Sequence, residues 1–123
     1  MATKQSKQPI ILQPQARLDS IGGKALQKQI ADIAAEEHDV WVIDMTEVDF
    51  IDSSGLFALV SGLKLAREKK CRFAICNVKT PVKLIFEITQ LDRVFEIFDS
   101  YDALTKTLES PPLLAPETTL VAA

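Results

Sequence analysis

The segment that most restricts the fold is a short apolar run followed, after a polar stretch, by a long amphipathic one. Val40-Trp41-Val42-Ile43 is apolar without interruption, which is typical of a strand buried on both faces of a parallel sheet. Beyond Ser54, apolar residues recur at the i, i+3, i+4 and i+7 spacing of one helical face: Leu56, Leu59, Val60 and Leu63. A buried strand that leads into an amphipathic helix predicts an α/β domain.

The same alternation extends over residues 9–109. It predicts the element order β-β-α-β-α-β-α-β-α, with about four helices on a mixed, mostly parallel sheet. The first two strands are separated by Gln13-Pro14-Gln15, and we expect them to form an N-terminal antiparallel hairpin. The segment 46–53 is predicted to be a loop. Helices are predicted over 22–38, 54–70 and 80–90 and from 100 onward.

The two ends of the chain are predicted to lie outside this single domain. Residues 1–8 are polar and are expected to form a disordered leader. Residues 110–123 contain Pro111, Pro112 and Pro116, carry Glu117 as their only charge and show no helical or strand period. We therefore expect a flexible C-terminal tail, and its leucines leave a docking role open.

Charge and composition exclude several functional classes. The 14 basic residues against 17 acidic ones give a net charge of −3, which argues against a nucleic-acid surface. No apolar run is long enough to span a bilayer, and residues 1–8 lack the apolar centre of a secretory signal. We therefore expect a cytoplasmic protein without direct membrane insertion. Cys71 and Cys76 fall on opposite faces of one predicted strand, so they are interpreted as buried hydrophobes rather than a disulfide.

The sequence does not complete a catalytic motif. His38 is the single histidine and ends the predicted first helix, whereas a serine triad would need it beside Ser53 or Ser54. Gly22-Gly23-Lys24 resembles the end of a P-loop, but the first glycine and the magnesium-binding hydroxyl of that motif are missing. We predict no enzymatic activity, no catalytic residue and no cofactor. A small nucleotide-binding hydrolase is the enzymatic alternative.

Four carboxylates surround the end of the strand predicted at 40–45: Asp44, Glu47, Asp49 and Asp52. The carboxyl ends of strands form the usual ligand edge of an open α/β sheet, so a magnesium site or an acidic phosphoacceptor is one interpretation. The segment offers no lysine partner, however, and carboxylates in such positions commonly cap helices or remain solvated. No metal site is predicted.

Asp52-Ser53-Ser54-Gly55-Leu56 places two hydroxyls where a helix is predicted to begin. Asp and Ser are preferred N-cap residues, so the segment could act in capping alone. The first turn of a helix also favours negative charge, because its N–H groups lack partners and the helix dipole is positive there. A phosphoryl group on one of these hydroxyls would be tolerated. Local chemistry leaves both interpretations open.

These residues also resemble a known family. Val42-Ile43-Asp44, followed by V-D-F-I-D-S-S-G-L over 48–56, is similar to the signature of the STAS domain, typified by anti-sigma factor antagonists. Ala16-Arg17-Leu18-Asp19 resembles the G-R-L-D segment before the first helix of that family, and 91–101 resembles its closing strand and helix. The resemblance covers about residues 9–109. It implies a mixed sheet covered on one side by helices.

The function that the resemblance implies is regulatory binding. In that family the second serine of D-S-S-G is phosphorylated by a partner that is both an anti-sigma factor and a serine kinase. This assigns phosphorylation to Ser54, with Ser53 as the weaker candidate and as the helix cap. Phosphorylation would release the partner, and a serine phosphatase would be a second partner. The partner-binding residues implied are Asp19, Asp52, Ser53, Gly55 and Phe57.

Two positions depart from the family pattern. Ala16 replaces a usual glycine, which restrains the turn into the first helix. Phe57 replaces a frequent glycine and is expected to pack in the core; if it is exposed instead, it would belong to a partner interface. A different role within the family, as a STAS scaffold subunit of a stress-signalling or lipid-transport complex, stays open.

Overall fold

A computed structural model describes residues 9–109 of the chain. The strands are β1 (Pro9–Leu12), β2 (Ala16–Leu18), β3 (Val40–Asp44), β4 (Val48–Ile51), β5 (Arg72–Cys76) and β6 (Glu96–Phe98). The helices are α1 (Ser20–Ala34), α2 (Ser53–Glu68), α3 (Thr80–Ile88) and α4 (Tyr101–Glu109), with a 3₁₀ turn at Leu91–Arg93. The α/β class and the four helices are confirmed. The predicted leader at 1–8 and tail at 110–123 lie outside the described residues.

The strands form two parallel sheets. The larger sheet has the order β1-β3-β5-β6, and β2 pairs with β4 in a separate two-stranded sheet. All of these pairs are parallel, so neither the predicted antiparallel hairpin nor a mixed sheet forms in residues 9–109. The reason lies at Ala16, whose left-handed φ of 53° turns the chain away from β1. Its N–H then donates to the carbonyl of Glu47 at 2.7 Å, which starts the pairing with β4.

The prediction of a loop over 46–53 is wrong because β4 lies inside it. Val48 and Ile51 are buried, whereas Asp49 and Phe50 between them are exposed. Two consecutive exposed residues break the alternation that marks a strand in a sequence. The strand is held by its pairing with β2, and that pairing contains an irregularity between Ala16 and Arg17.

Helices cover both faces of the larger sheet. Trp41 and Ile43 of β3 point towards α1, α2 and α3, where the main core lies. The alternate residues Val40 and Val42 pack on the other face against Leu104 of α4. The expectation from the resemblance that helices cover only one side of the sheet is therefore wrong. The uninterrupted apolar run in β3 reflects two buried faces.

The single tryptophan and both cysteines lie on or next to strands of the larger sheet. Trp41, the single tryptophan, is 1% exposed, and its indole N–H has no hydrogen-bond partner within residues 9–109. Cys71 lies just before β5 and donates its thiol to the carbonyl of His38 at 3.0 Å. Cys76 is buried, and burial, together with the charge of Asp44, raises the pKa of its thiol to about 11. Both cysteines are free.

Candidate functional site at the start of two helices

Two strand-to-helix junctions lie side by side at one edge of the domain. β2 and β4 run parallel, with Leu18 opposite Ile51, and each strand is followed at once by an aspartate and a helix. Asp19 leads into α1, and Asp52 leads into α2. The small sheet therefore delivers the N-termini of both helices to the same place.

Asp19 and Asp52 cap the two helices in the same way. Asp19 Oδ1 accepts hydrogen bonds from the N–H groups of Ile21 at 3.1 Å and Gly22 at 3.0 Å. Asp52 Oδ1 accepts from the N–H groups of Ser54 at 2.9 Å and Gly55 at 3.3 Å. A carboxylate in this position satisfies free donors and complements the helix dipole. Both aspartates thus have a structural role.

The electrostatics of Asp19 follow from these bonds. The hydrogen bond from the Gly22 N–H, helped by Arg17 and the Ile21 N–H, outweighs desolvation and holds the pKa of Asp19 below its ordinary value. Arg17 lies 3.4 Å from the Asp19 carboxylate and stacks over the Phe50 ring at 4.0 Å. The charged groups of Asp19 and Arg17 are therefore both engaged by contacts within the first junction.

The expected cap at Ser53 is corrected by this geometry. Ser53 is the first residue of α2, and Asp52, in extended backbone conformation, is its N-cap. An ionised carboxylate makes stronger bonds to backbone N–H groups than a hydroxyl does, so the aspartate takes the capping position when both types are available. The serine hydroxyls are consequently not needed for the cap.

Gly22 and Gly55 stand at matching positions, each three residues after its capping aspartate. A Cβ atom at Gly22 would overlap the carbonyl oxygen of Arg17, and one at Gly55 would overlap that of Leu18. Gly55 is also buried, and its added Cβ would lie 2.8 Å from the Ile51 side chain. The structure thus gives Gly55, predicted as a partner-binding residue, a packing role within the domain.

A groove of about 380 Å³ lies between the first turns of α1 and α2. Gly23 permits the close approach of the two helices, because a Cβ there would lie 3.0 Å from the Ser54 carbonyl oxygen. Ser54 is half-buried in the groove, and Ser53 is exposed. The lining consists of Ser20, Gly23, Lys24, Gln27, Ser53, Ser54 and Phe57.

Phe57 is 63% exposed, so the expectation that it packs in the core is wrong and the interface alternative remains. The buried face of α2 is taken by Gly55, Ala58, Leu59 and residues one and two turns further on. Phe57 lies on a different side of the helix from this face. Ile21, in the first turn of α1, is 79% exposed. The edge therefore combines hydroxyls with two uncovered apolar side chains.

The residues considered for catalysis or metal binding do not come together at this edge within residues 9–109. His38 follows α1 at its opposite end and contacts Glu36 at 2.7 Å. Burial acts to raise the pKa of Asp44, but hydrogen bonds from Thr46 and Asn77 outweigh it and hold that pKa below its ordinary value. Within residues 9–109, no three His, Cys, Asp or Glu side chains converge to hold a metal ion. The chemistry of the edge is that of hydroxyls, caps and one ammonium group.

Sequence reasoning passed over two residues of this edge, Ile21 and Lys24. The pairing of Leu18 with Ile51 places Ile21 at the position that Ser54 holds in the second junction. Lys24 belongs in the sequence to an incomplete P-loop pattern, which gives no sign of its place at this edge. The similarity between the segments D-S-I-G at 19–22 and D-S-S-G at 52–55 is the sequence signal that could have identified both junctions.

Comparison with known proteins places this edge in context. The family model for the STAS domain matches residues 1–104. The anti-sigma F factor antagonist of Paenibacillus polymyxa is 32% identical over 66 residues, which cover 53% of this chain and 56% of that protein. The chain spans about half the length of the curated relatives it matches.

Solved structures share the fold at lower identity. An anti-sigma factor antagonist from Mycobacterium paratuberculosis has a TM-score of 0.71 at 22% identity, covering 85% of this chain and 88% of that one. A sulfate transporter family protein from Wolinella succinogenes has a TM-score of 0.70 at 17% identity, with coverages of 77% and 80%. The phosphorylated form of the Bacillus cell fate determinant SpoIIAA has a TM-score of 0.62 at 12% identity, with coverages of 86% and 96%.

None of the helices in residues 9–109 is both long and apolar enough to cross a membrane.

The family assignment rests on the length of the match and agrees with the fold. The family model extends over most of the chain, from the first residue into α4, and the structural neighbours have the same arrangement of strands and helices. The chain belongs to the STAS domain family.

Proposed function

We propose that this protein is an anti-sigma factor antagonist that is regulated by phosphorylation of Ser54. It binds an anti-sigma factor with serine kinase activity through the edge formed by the first turns of α1 and α2. The observation that carries the proposal is the placement of Ser54, half-buried in a groove beside the exposed Phe57. The curated relatives named as anti-sigma factor antagonists, and a structural neighbour that exists in a phosphorylated form, support it.

The hydroxyl of Ser54 is available for this chemistry. Its backbone N–H is bound to Asp52, which fixes the first turn, whereas its Oγ makes no hydrogen bond to any residue in the described part of the chain. A kinase would supply a nucleoside triphosphate, and the bond from Oγ to phosphorus would form as the bond to the departing nucleoside diphosphate breaks. The hydroxyl proton would pass to a base on the kinase. This chain needs no cofactor for that step.

Phosphorylation would act on docking and leave the fold intact. A phosphate adds a charge of about −1.5 to −2 at neutral pH to an edge that already carries the carboxylates of Asp52 and Asp19. Those carboxylates are engaged by backbone N–H groups inside the domain, so the caps persist when the hydroxyl is modified. The partner, in contrast, would have to desolvate the new charge at the centre of its contact. Release follows, and a serine phosphatase would restore binding.

The site of action that fits this function is the cytoplasm, where sigma factors and their regulators work. Phe57 would serve as an apolar anchor, since exposed aromatic side chains often dominate the binding energy of an interface. Asp19 and Ser53 would lie at the rim of the same contact.

The test uses the anti-sigma factor that co-purifies with the chain from its native host. Wild-type protein, Ser54→Asp and the matched control Ser53→Asp are titrated against that partner by calorimetry. We expect Ser54→Asp to weaken binding at least tenfold and Ser53→Asp to weaken it less. Equal affinity of Ser54→Asp and the wild type for the partner would contradict the proposal that phosphorylation of Ser54 releases it.

A second measurement assigns the phosphate itself. Phosphopeptide mass spectrometry on protein from the native host is compared with the Ser54→Ala variant. Phosphate on Ser54 that is lost in the variant is the expected result. If Ser54 stays unmodified under all growth states and the chain co-purifies with a membrane complex, the role as a scaffold subunit of a stress-signalling or lipid-transport complex replaces this proposal.

A further inference from the structure

The start of α2 offers few free donors to a phosphate on Ser54. The N–H groups of Ser54 and Gly55 are bound by the Asp52 side chain, and the Leu56 N–H is bound by the Asp52 carbonyl at 2.9 Å. The helix dipole is already complemented by the carboxylate of the cap. The helix end therefore offers little compensation for an added phosphate, and a nearby cation would contribute more.

Lys24 is in the right place to supply that balance. It projects from the second turn of α1 and lines the same groove as Ser54, where it is the only charged side chain of the lining. It makes no ion pair or hydrogen bond with another side chain in residues 9–109. Arg17, the other cation of this edge, is engaged by Asp19 and Phe50.

We propose that Lys24 is the counter-ion for a phosphate on Ser54, an inference that rests on the proposed phosphorylation. The ammonium group of α1 and the phosphate of α2 meet across the groove and form a charge-assisted hydrogen bond. Gly23, one residue before Lys24, permits this meeting by bringing α1 against the Ser54 carbonyl. The modification thereby links the second turn of α1 to the first turn of α2.

The pairing has a measurable consequence for the phosphate. The second ionisation of a phosphoserine has a pKa of about 6, and a nearby cation lowers that value. Two capping carboxylates belong to the same edge: Asp52, which caps α2, and Asp19, which caps α1. Both carboxylates raise the pKa of the phosphate. Because both keep their backbone hydrogen bonds whatever residue stands at position 24, a change at Lys24 isolates the contribution of its charge.

The experiment installs phosphoserine at position 54 of the full chain during translation and follows its phosphorus NMR signal from acidic to alkaline pH. Lys24→Gln removes the charge, Lys24→Arg keeps it, and Lys64→Gln is the matched control. Lys64 is also an exposed lysine, but it lies ten residues along α2, which is about 15 Å away.

We expect Lys24→Gln to raise the pKa of the phosphate by about 0.5, the size expected for a solvent-screened ion pair. Lys24→Arg and Lys64→Gln should leave the titration unchanged. A titration of Lys24→Gln that coincides with that of Lys64→Gln would overturn the inference. All three positions tested are on the surface or in the groove, and a circular dichroism spectrum of each variant confirms that it is folded.

The result is independent of any kinase, because the phosphate is introduced by translation. A Lys24 effect in this experiment, combined with an unmodified Ser54 in the native host, would reject the proposed function and leave the ion pair as a property of the domain. Phosphorylation of Ser54 in the host without a Lys24 effect would support the proposed function and reject Lys24 as the counter-ion.

Discussion

At the end of β2 and at the end of β4 the chain builds the same junction twice. In each, an aspartate caps the following helix, and a glycine three residues later packs against a carbonyl of β2. The residue between Ser and Gly differs: it is Ile21 in the first junction and Ser54 in the second. Asp and Gly thus build both junctions in the same way. The chemistry of each junction is set by the residue that differs, which is apolar Ile21 in the first and the hydroxyl-bearing Ser54 in the second.

The two glycines provide the largest expected effect. Gly55→Ala would drive a methyl group into the Leu18 carbonyl and the side chains of Leu18 and Ile51, all in the core, and should lower the free energy of unfolding by about 3 kcal/mol. Gly22→Ala overlaps the Arg17 carbonyl just as closely, but its position is half-buried and no core side chain is among its nearest atoms, so it should cost less. Urea unfolding of both variants gives the measurement. Equal losses would show that the two junctions are packed with equal tightness.

The exposed apolar residues test whether both junctions contact the partner. Phe57→Ala should reduce affinity for the co-purified anti-sigma factor about thirtyfold, or about 2 kcal/mol, while changing the unfolding free energy by less than about 0.5 kcal/mol, because the ring is mostly exposed. Ile21→Ala measures the contribution of the first junction in the same calorimetric assay. Full affinity in the Phe57 variant would remove this ring from the interface.

The approach to the first junction carries backbone strain that the second lacks. Ala16 has a φ of 53°, a conformation in which a Cβ atom is unfavourable. Ala16→Gly should therefore raise the free energy of unfolding by about 0.5–1 kcal/mol, since relief of strain outweighs the added freedom of the unfolded chain. Thermal and urea unfolding check this, with Ala25→Gly in the exposed part of α1 as a control that should destabilise. A destabilised Ala16 variant would contradict the assignment of strain.

The smallest effect is the pH dependence of the first cap. The pKa of Asp19 is lower in the folded protein than its unfolded value of about 3.9, so its ionised form stabilises the fold above that pH. Asp19→Asn keeps an N-cap but cannot ionise. The stability difference between wild type and variant should therefore be constant near neutral pH and shrink as the pH falls below about 4. A difference that stays constant into the acid range would contradict the role of the charge.

Local patterns in the sequence were sufficient for the helices and for the strands of the large sheet. Leu26, Ile30 and Ile33 recur at helical spacing and are buried in α1, and the apolar run of β3 is buried on both faces. The small sheet was missed because β4 has no alternating pattern and exists through its pairing with a distant segment. Long-range pairing of this kind leaves no local trace.

The site was predictable in its residue types and less so in their roles. Asp52 and Ser53 are both good capping residues, and only the three-dimensional reach of the carboxylate decides between them. Phe57 is exposed although aromatic residues near the start of a helix commonly pack inward, because the buried face of α2 lies at Gly55, Ala58 and Leu59. Small residues mark that face, and they carry little hydrophobic signal in a sequence.

The burial of Trp41 gives this protein a built-in optical reporter of its fold. As the single tryptophan, it makes the emission spectrum a signal from one site, and an indole with an unpaired N–H in an apolar core should emit at short wavelength. The side chain belongs to the main core and not to the lining of the groove. Unfolding would shift its emission to longer wavelength, whereas docking of a partner at the α1 and α2 edge would leave it unchanged. A phosphate on Ser54 that altered docking at constant tryptophan emission would therefore reveal, without any label, that the switch acts at the surface alone.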